Sequence, residues 1–266
     1  MFRWNLEPTL ILGLIGQVAA YLACVGPLRS WFPGSQRVPA GQIIAFVLGS
    51  ITMFVALVSP LDKLGEGYLL SAHMLQHMLI TLVAPPLMLK GTPVWLLRPL
   101  LRLPFALPAG QVITHPIITF ALFNGVFLAW HVPDFYELAL RNQLAHILEH
   151  VLFFGTATLT WWPIFSPLEE LPPRSPGMQC LYLFLQSIPP TILGAVITFS
   201  EEVIYPTYAN APRVWDITPL DDQRIAGLLM WIPGSLVYFG VLTVIFFRWF
   251  NSNEPDAVPV RGGVRG

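Results

Sequence analysis

Residues 71–86 read SAHMLQHMLITLVAPP: two histidines four positions apart, set among leucine, isoleucine, methionine and alanine. From Tyr68 to Leu89 the chain carries no Asp, Glu, Lys or Arg, a run longer than the roughly 20 residues a helix needs to cross a bilayer. Such a stretch belongs in lipid, and the imidazoles within it have no bulk water to bond. The rest of the chain obeys the same solvent. Of its 266 residues 55% are hydrophobic and 11% charged, with a mean hydropathy of +0.63, whereas soluble domains carry roughly a quarter charged residues. The expected fold is all-α, a polytopic membrane helical bundle.

Seven apolar segments are long enough to span: 8–28, 40–58, 67–89, 114–131, 141–165, 178–200 and 224–249. The connectors between them, such as SPLDKLGEG, VPDFYELAL and SPLEELPPRSPG, hold the turn formers. A longer one, KGTPVWLLRPLLRLPFALPAG, is amphipathic and is expected to lie along the membrane surface. No connector can hold a core of its own, so residues 1–250 read as a single transmembrane domain. Residues 251–266 read as a disordered cytoplasmic tail. The first span has no small-x-small cleavage site and is expected to be retained. Cys24 and Cys180 form no CxxC motif and read as apolar helix residues. A net charge of −1 without a basic cluster speaks against nucleic acid as a partner.

Orientation follows from the cations. One side of the seven spans holds Arg3, Lys63, Arg141, Arg213 and Arg224; the other holds Arg29, Arg37, Lys90, Arg98, Arg102, Arg174, Arg248, Arg261 and Arg265. Nine against five predicts an N-terminus outside and a cytoplasmic C-terminus. Within the third and sixth spans, Pro85-Pro86 and Pro189-Pro190 remove backbone donors, so both helices are expected to kink or break. Carbonyls freed at that depth need neighbouring helices or a polar cavity.

His73/His77 and His146/His150 each lie four apart, on one helix face and about 6 Å from each other along the axis. AHMLQHML overlays AHILEHVL in register. One HxxxH is a weak signal; two with matching flanks look like an internal repeat. The third and fifth spans run the same way, so both pairs fall about 8 to 15 Å past the outer end, at 1.5 Å per residue. The fourth span returns to that side and closes on His131. Five histidines therefore converge on one level, while His115 starts the fourth span at the other side as an interfacial residue.

A single histidine in a membrane helix is more often a hydrogen-bonded packing residue than a ligand. Five at one depth favour a transition-metal site. Glu149 shares the face of the second pair, as a ligand or as the carboxylate that fixes a ring's tautomer. Gln76, its counterpart, can orient a histidine. Imidazole suits zinc, copper, iron or nickel, and thioether suits reduced copper. Met230, in LLMWIPG, is the candidate thioether; Met74 and Met78 lie on a rotated face and read as packing. Asp221 and Asp222 open the last span and read as its caps, and Glu201 and Glu202 as solvent-facing.

Taken together, SPLDKLGEGYLLSAHMLQHMLITLVAPPLMLKGTP, AWHVPDFYELAL, LAHILEHVLFF, WWPI and PLDDQRIAGLLMWIPG resemble the multi-spanning CtaG-type cytochrome c oxidase assembly factors of bacteria. The resemblance runs in order from about Ser59 to Trp231. It implies a non-enzymatic protein of the bacterial plasma (inner) membrane that binds copper in the extracytoplasmic half of the bilayer. Its partners would be subunit I of a haem–copper cytochrome c oxidase as client and a periplasmic copper donor; a homodimer stays open. It implies His73, His77, His131, His146, Glu149, His150 and Met230 as metal ligands, with Gln76, Asp221 and Asp222 holding or admitting the ion. The residues themselves leave two other readings open. One is a haem-binding electron carrier with bis-histidine ligation, since the missing CxxCH excludes only covalent attachment. The other is a membrane metalloenzyme using HxxxH pairs, with Glu149 as general base. A transporter would need a second ligand set on the inward side, and none is visible.

Overall fold

The computed structural model describes residues 3–252, so the expected tail lies, beyond Ser252, outside the described residues. All regular structure among them is helical. The α helices are α1 (Pro8–Val25), α2 (Ala40–Val58), α3 (Pro60–Gly67), α4 (Leu70–Met78), α5 (Ala84–Gly91), α6 (Val94–Leu97), α7 (Ala106–Ile113), α8 (Pro116–Trp130), α9 (Pro133–Arg141), α10 (Gln143–Phe165), α11 (Pro176–Phe199), α12 (Pro206–Ala209) and α13 (Pro219–Ser252). A π turn over Leu79–Val83 joins α4 to α5, making Leu70–Gly91 one continuous span.

Five stretches are long and apolar enough to cross a membrane: α1, α2, the joined α4–α5, α11 and α13. The α7–α8 pair, bent by 68°, passes the same test only as one broken span or a re-entrant loop. α10 has the length, at 23 residues, but Gln143, His146, Glu149 and His150 lower the hydropathy of its first half. All seven expected segments are helical, and five meet both criteria. Two connectors expected as turns, SPLDKLGEG and VPDFYELAL, are instead the short helices α3 and α9.

The joined α4–α5 span is the centre of the bundle: 61% of its apolar window is buried, against 17% for α1. Leu12, Ile15, Ile192 and Leu236 stay exposed on the outside, where acyl chains rather than water would meet them. α11 and α13 cross at two glycines. A Cβ on Gly194 would lie 2.8 Å from the Gly227 carbonyl oxygen, and one on Gly227 2.6 Å from that of Gly194, so only hydrogen fits at either position.

Neither proline pair breaks its helix. The Thr81 carbonyl has no helical donor, because the residues four and five positions on are Pro85 and Pro86. The Trp161 indole supplies one, Nε1–H donating across to Thr81 O at 2.9 Å. Pro60 leaves the Ala56 carbonyl in the same position, and Gln76 Nε2 donates to it at 3.0 Å. At both positions the freed carbonyl is satisfied from a neighbouring helix. Trp161→Phe is expected to lower stability by about 1–3 kcal/mol, since it strands a buried carbonyl while keeping most of the ring volume. Thermal unfolding in detergent measures this, and an unchanged transition would show that the indole bond contributes nothing.

Candidate metal centre

The N-terminal ends of α4, α10 and α13, and the C-terminal ends of α2, α8 and α11, meet at one end of the bundle. α4 carries His73 and His77 there, and α10 carries His146, Glu149 and His150. The four rings form an irregular quadrilateral, with centroids 4.2 Å apart for His73–His77, 5.5 Å for His77–His150, 4.2 Å for His150–His146 and 6.0 Å for His146–His73. His73 and Glu149 are each 1% exposed and His77 5%. Gln76 and Gln223, at 0% and 1%, are buried at the same end.

Their hydrogen bonding is unusual for buried groups, which are nearly always paired. Neither ring nitrogen of His77 has a hydrogen-bond partner. Neither nitrogen of His73 makes a bond of normal geometry, although the Gly65 carbonyl lies nearby. The Nε2 atoms of His131, His146 and His150 and Oε2 of Glu149 are also unpaired. Glu149 Oε1 approaches His77 Nε2 at 3.8 Å, beyond hydrogen-bonding distance. Unpaired donors and lone pairs of this number, at one point, fit a cation better than a packed core.

His131 stands slightly apart, its ring 6.4 Å from that of His77. Its Nδ1–H donates to the Phe127 carbonyl at 2.7 Å, which leaves the Nε2 lone pair free as a ligand. Between His77 and His131 lies a cavity of about 40 Å³, also lined by Met74, Met78 and Met230. All three thioethers border it, not Met230 alone.

The structure gives other roles to the outer candidates. Gln76 makes no hydrogen bond to a histidine among the described residues: besides the Ala56 carbonyl, its amide donates to Asp62 Oδ1 at 2.9 Å. Asp221 was expected to cap α13, but the cap is Thr218: its hydroxyl accepts from Asp221 N at 3.1 Å and donates to the Asp221 carboxylate at 2.6 Å. Asp222 caps a different helix. Its carboxylate accepts from Leu70 N at 2.6 Å, from Ser71 N at 3.2 Å and from the Ser71 hydroxyl, fixing the first turn of α4. His73 follows three residues later.

Two features were not anticipated. Glu66, on α3, lies 3.2 Å from His146 Nδ1 as an ion-pair partner and also pairs with Lys63. Burial would raise its carboxyl, but the hydrogen bonds and charges of His146 and Lys63 outweigh that and hold it at about 2. Its acidic position in SPLDKLGEG is a surface residue by pattern; only the docking of α3 brings it to the centre. That docking needs Gly65, where a Cβ would lie 2.9 Å from the His73 Cα. The second feature is a lid. The Tyr136 ring on α9 lies 5.2 Å from that of His73 at a tilt of 43°, its hydroxyl meets that of Tyr208, and Tyr208 donates to the Gly65 carbonyl at 2.6 Å. Tyr205 donates to the His131 carbonyl at 2.9 Å. On one flank the lid stops, and a cleft of about 1320 Å³ reaches Glu66, His146 and His150 from outside the bundle.

Comparison with known proteins bears on this centre. Residues 19–252 match the family described as cytochrome c oxidase caa3 assembly factor. An uncharacterized protein of Mycobacterium leprae is 22% identical over 269 residues, covering 94% of this chain and 39% of its own length. An uncharacterized protein of Mycobacterium bovis is 24% identical over 258 residues, covering 90% of this chain and 38% of its own. The chain thus spans less than two fifths of the length of these relatives. No solved structure matches.

Proposed function

The chain belongs to the cytochrome c oxidase caa3 assembly factor family, and from that premise we propose that it carries copper at the buried histidine centre on the way to the oxidase. The observation that supports this most is the set of unpaired imidazole nitrogens around Glu149. Imidazole with nearby thioether suits copper, above all in its reduced state. A thiolate site would hold the ion too tightly to release it; both cysteines lie outside the centre and are free.

In this reading the protein performs no reaction and works by exchange. The histidine end faces outward by the excess of Lys and Arg at the opposite end, where Lys90, Arg98, Arg102, Arg174 and Arg248 gather. A periplasmic donor delivers copper through the cleft, and subunit I of the haem–copper oxidase receives it at similar depth in the plasma membrane. Glu66 stands where the cleft meets His146 and attracts the arriving cation.

Full-length protein purified in detergent, exposed to Cu(I) and desalted, tests the proposal by elemental analysis. Retained copper at one equivalent or more is expected. Protein that holds none, or that shows a Soret band as isolated, would overturn it, the latter in favour of bis-histidine haem.

A further inference from the structure

We infer that the centre holds two metal ions, one at His73 and His77 and one at His146 and His150, with Glu149 bridging them. The inference rests on the proposed copper site and adds to it a number and an order of filling.

The donor atoms themselves divide in two. The ligand atoms of His73, His77 and Glu149 all lie within 4.8 Å of one another, and so do those of His146, Glu149 and His150. Glu149 is the only member common to both sets. A single tetrahedral ion, with bonds of about 2.0–2.1 Å, would draw all four imidazoles into one set. Here each helix contributes one i, i+4 pair, and the pairs face each other across the carboxylate. Glu149 has one oxygen toward His77 and the other without a partner. A carboxylate offering one oxygen to each of two ions is how paired-metal sites about 3.5–4 Å wide are built.

The two positions differ in access. His146, His150 and Glu66 border the open cleft, whereas His73 and His77 sit behind them at 1% and 5% exposure. The outer ion therefore exchanges with partners directly, and the inner one lies behind it.

Stoichiometry decides the matter. Full-length protein in detergent is loaded with excess Cu(I), desalted, and analysed for metal, then titrated with bicinchoninate as a competing chelator. Two equivalents are expected, removed in two steps. The double variants H73A/H77A and H146A/H150A should each keep one equivalent, removed in one step. One equivalent in the wild type, lost in a single step, would overturn the two-ion inference while leaving the copper site standing. No copper at all would overturn the site itself. The wild-type titration reads the answer even where a variant fails to fold.

Discussion

Replacing all four imidazoles, in H73A/H77A/H146A/H150A, leaves a protein that folds but holds less than a tenth of the wild-type copper. In a strain carrying only this variant, oxidase activity in isolated membranes falls to the level of a strain lacking the protein. The fold should survive because these rings do little structural work: of their eight nitrogens, His146 Nδ1 alone has a firm partner, Glu66 at 3.2 Å. Removing an unpaired buried polar group relieves a penalty of about 1–3 kcal/mol, which offsets much of the packing lost with each ring. Monodisperse elution and a melting temperature near that of the wild type, measured beside the copper content, check this. Wild-type copper in the folded variant would remove the centre from consideration. Loss of folding together with copper would mark the rings as a structural core instead.

The second large effect lies away from the imidazoles. Asp222→Ala is expected to destabilise the protein by about 3 kcal/mol or more, because it strands the buried N–H groups of Leu70 and Ser71 and opens the first turn of α4. No local residue can replace it: Leu69, in the capping position, has no side-chain acceptor. Copper affinity should fall with it, since the freed turn carries His73. Asp222→Asn retains one acceptor and should lose roughly half as much. Thermal unfolding and copper retention, measured on both variants, test the argument. If Asp222→Ala melts with the wild type, the cap between helices is not what holds α4 in place.

How much of the centre was legible follows from the range of each interaction. His73, His77, His146, Glu149 and His150 announce themselves because spacing along a helix is a local property that repeats in the sequence. Gln76 and Asp222 did not reveal their partners. Gln76 answers a carbonyl orphaned by Pro60, and Asp222 caps a helix 152 positions away in sequence. His131 was placed at the right level but not at its 6.4 Å distance from His77. Glu66 was hidden by its setting, since an acid among Asp, Lys and Gly reads as a solvated turn.

Composition and period determined the solvent, the helical segments and the two imidazole pairs, since each depends on residues a few positions apart and on the cost of polar groups in lipid. Tertiary structure alone decided that Trp161 satisfies Thr81, that Asp222 caps α4, that Glu66 meets His146, and that Glu149 stands between both pairs. Those contacts arise where helices distant in sequence pack together, and a buried polar atom takes whatever partner the packing brings within about 3 Å.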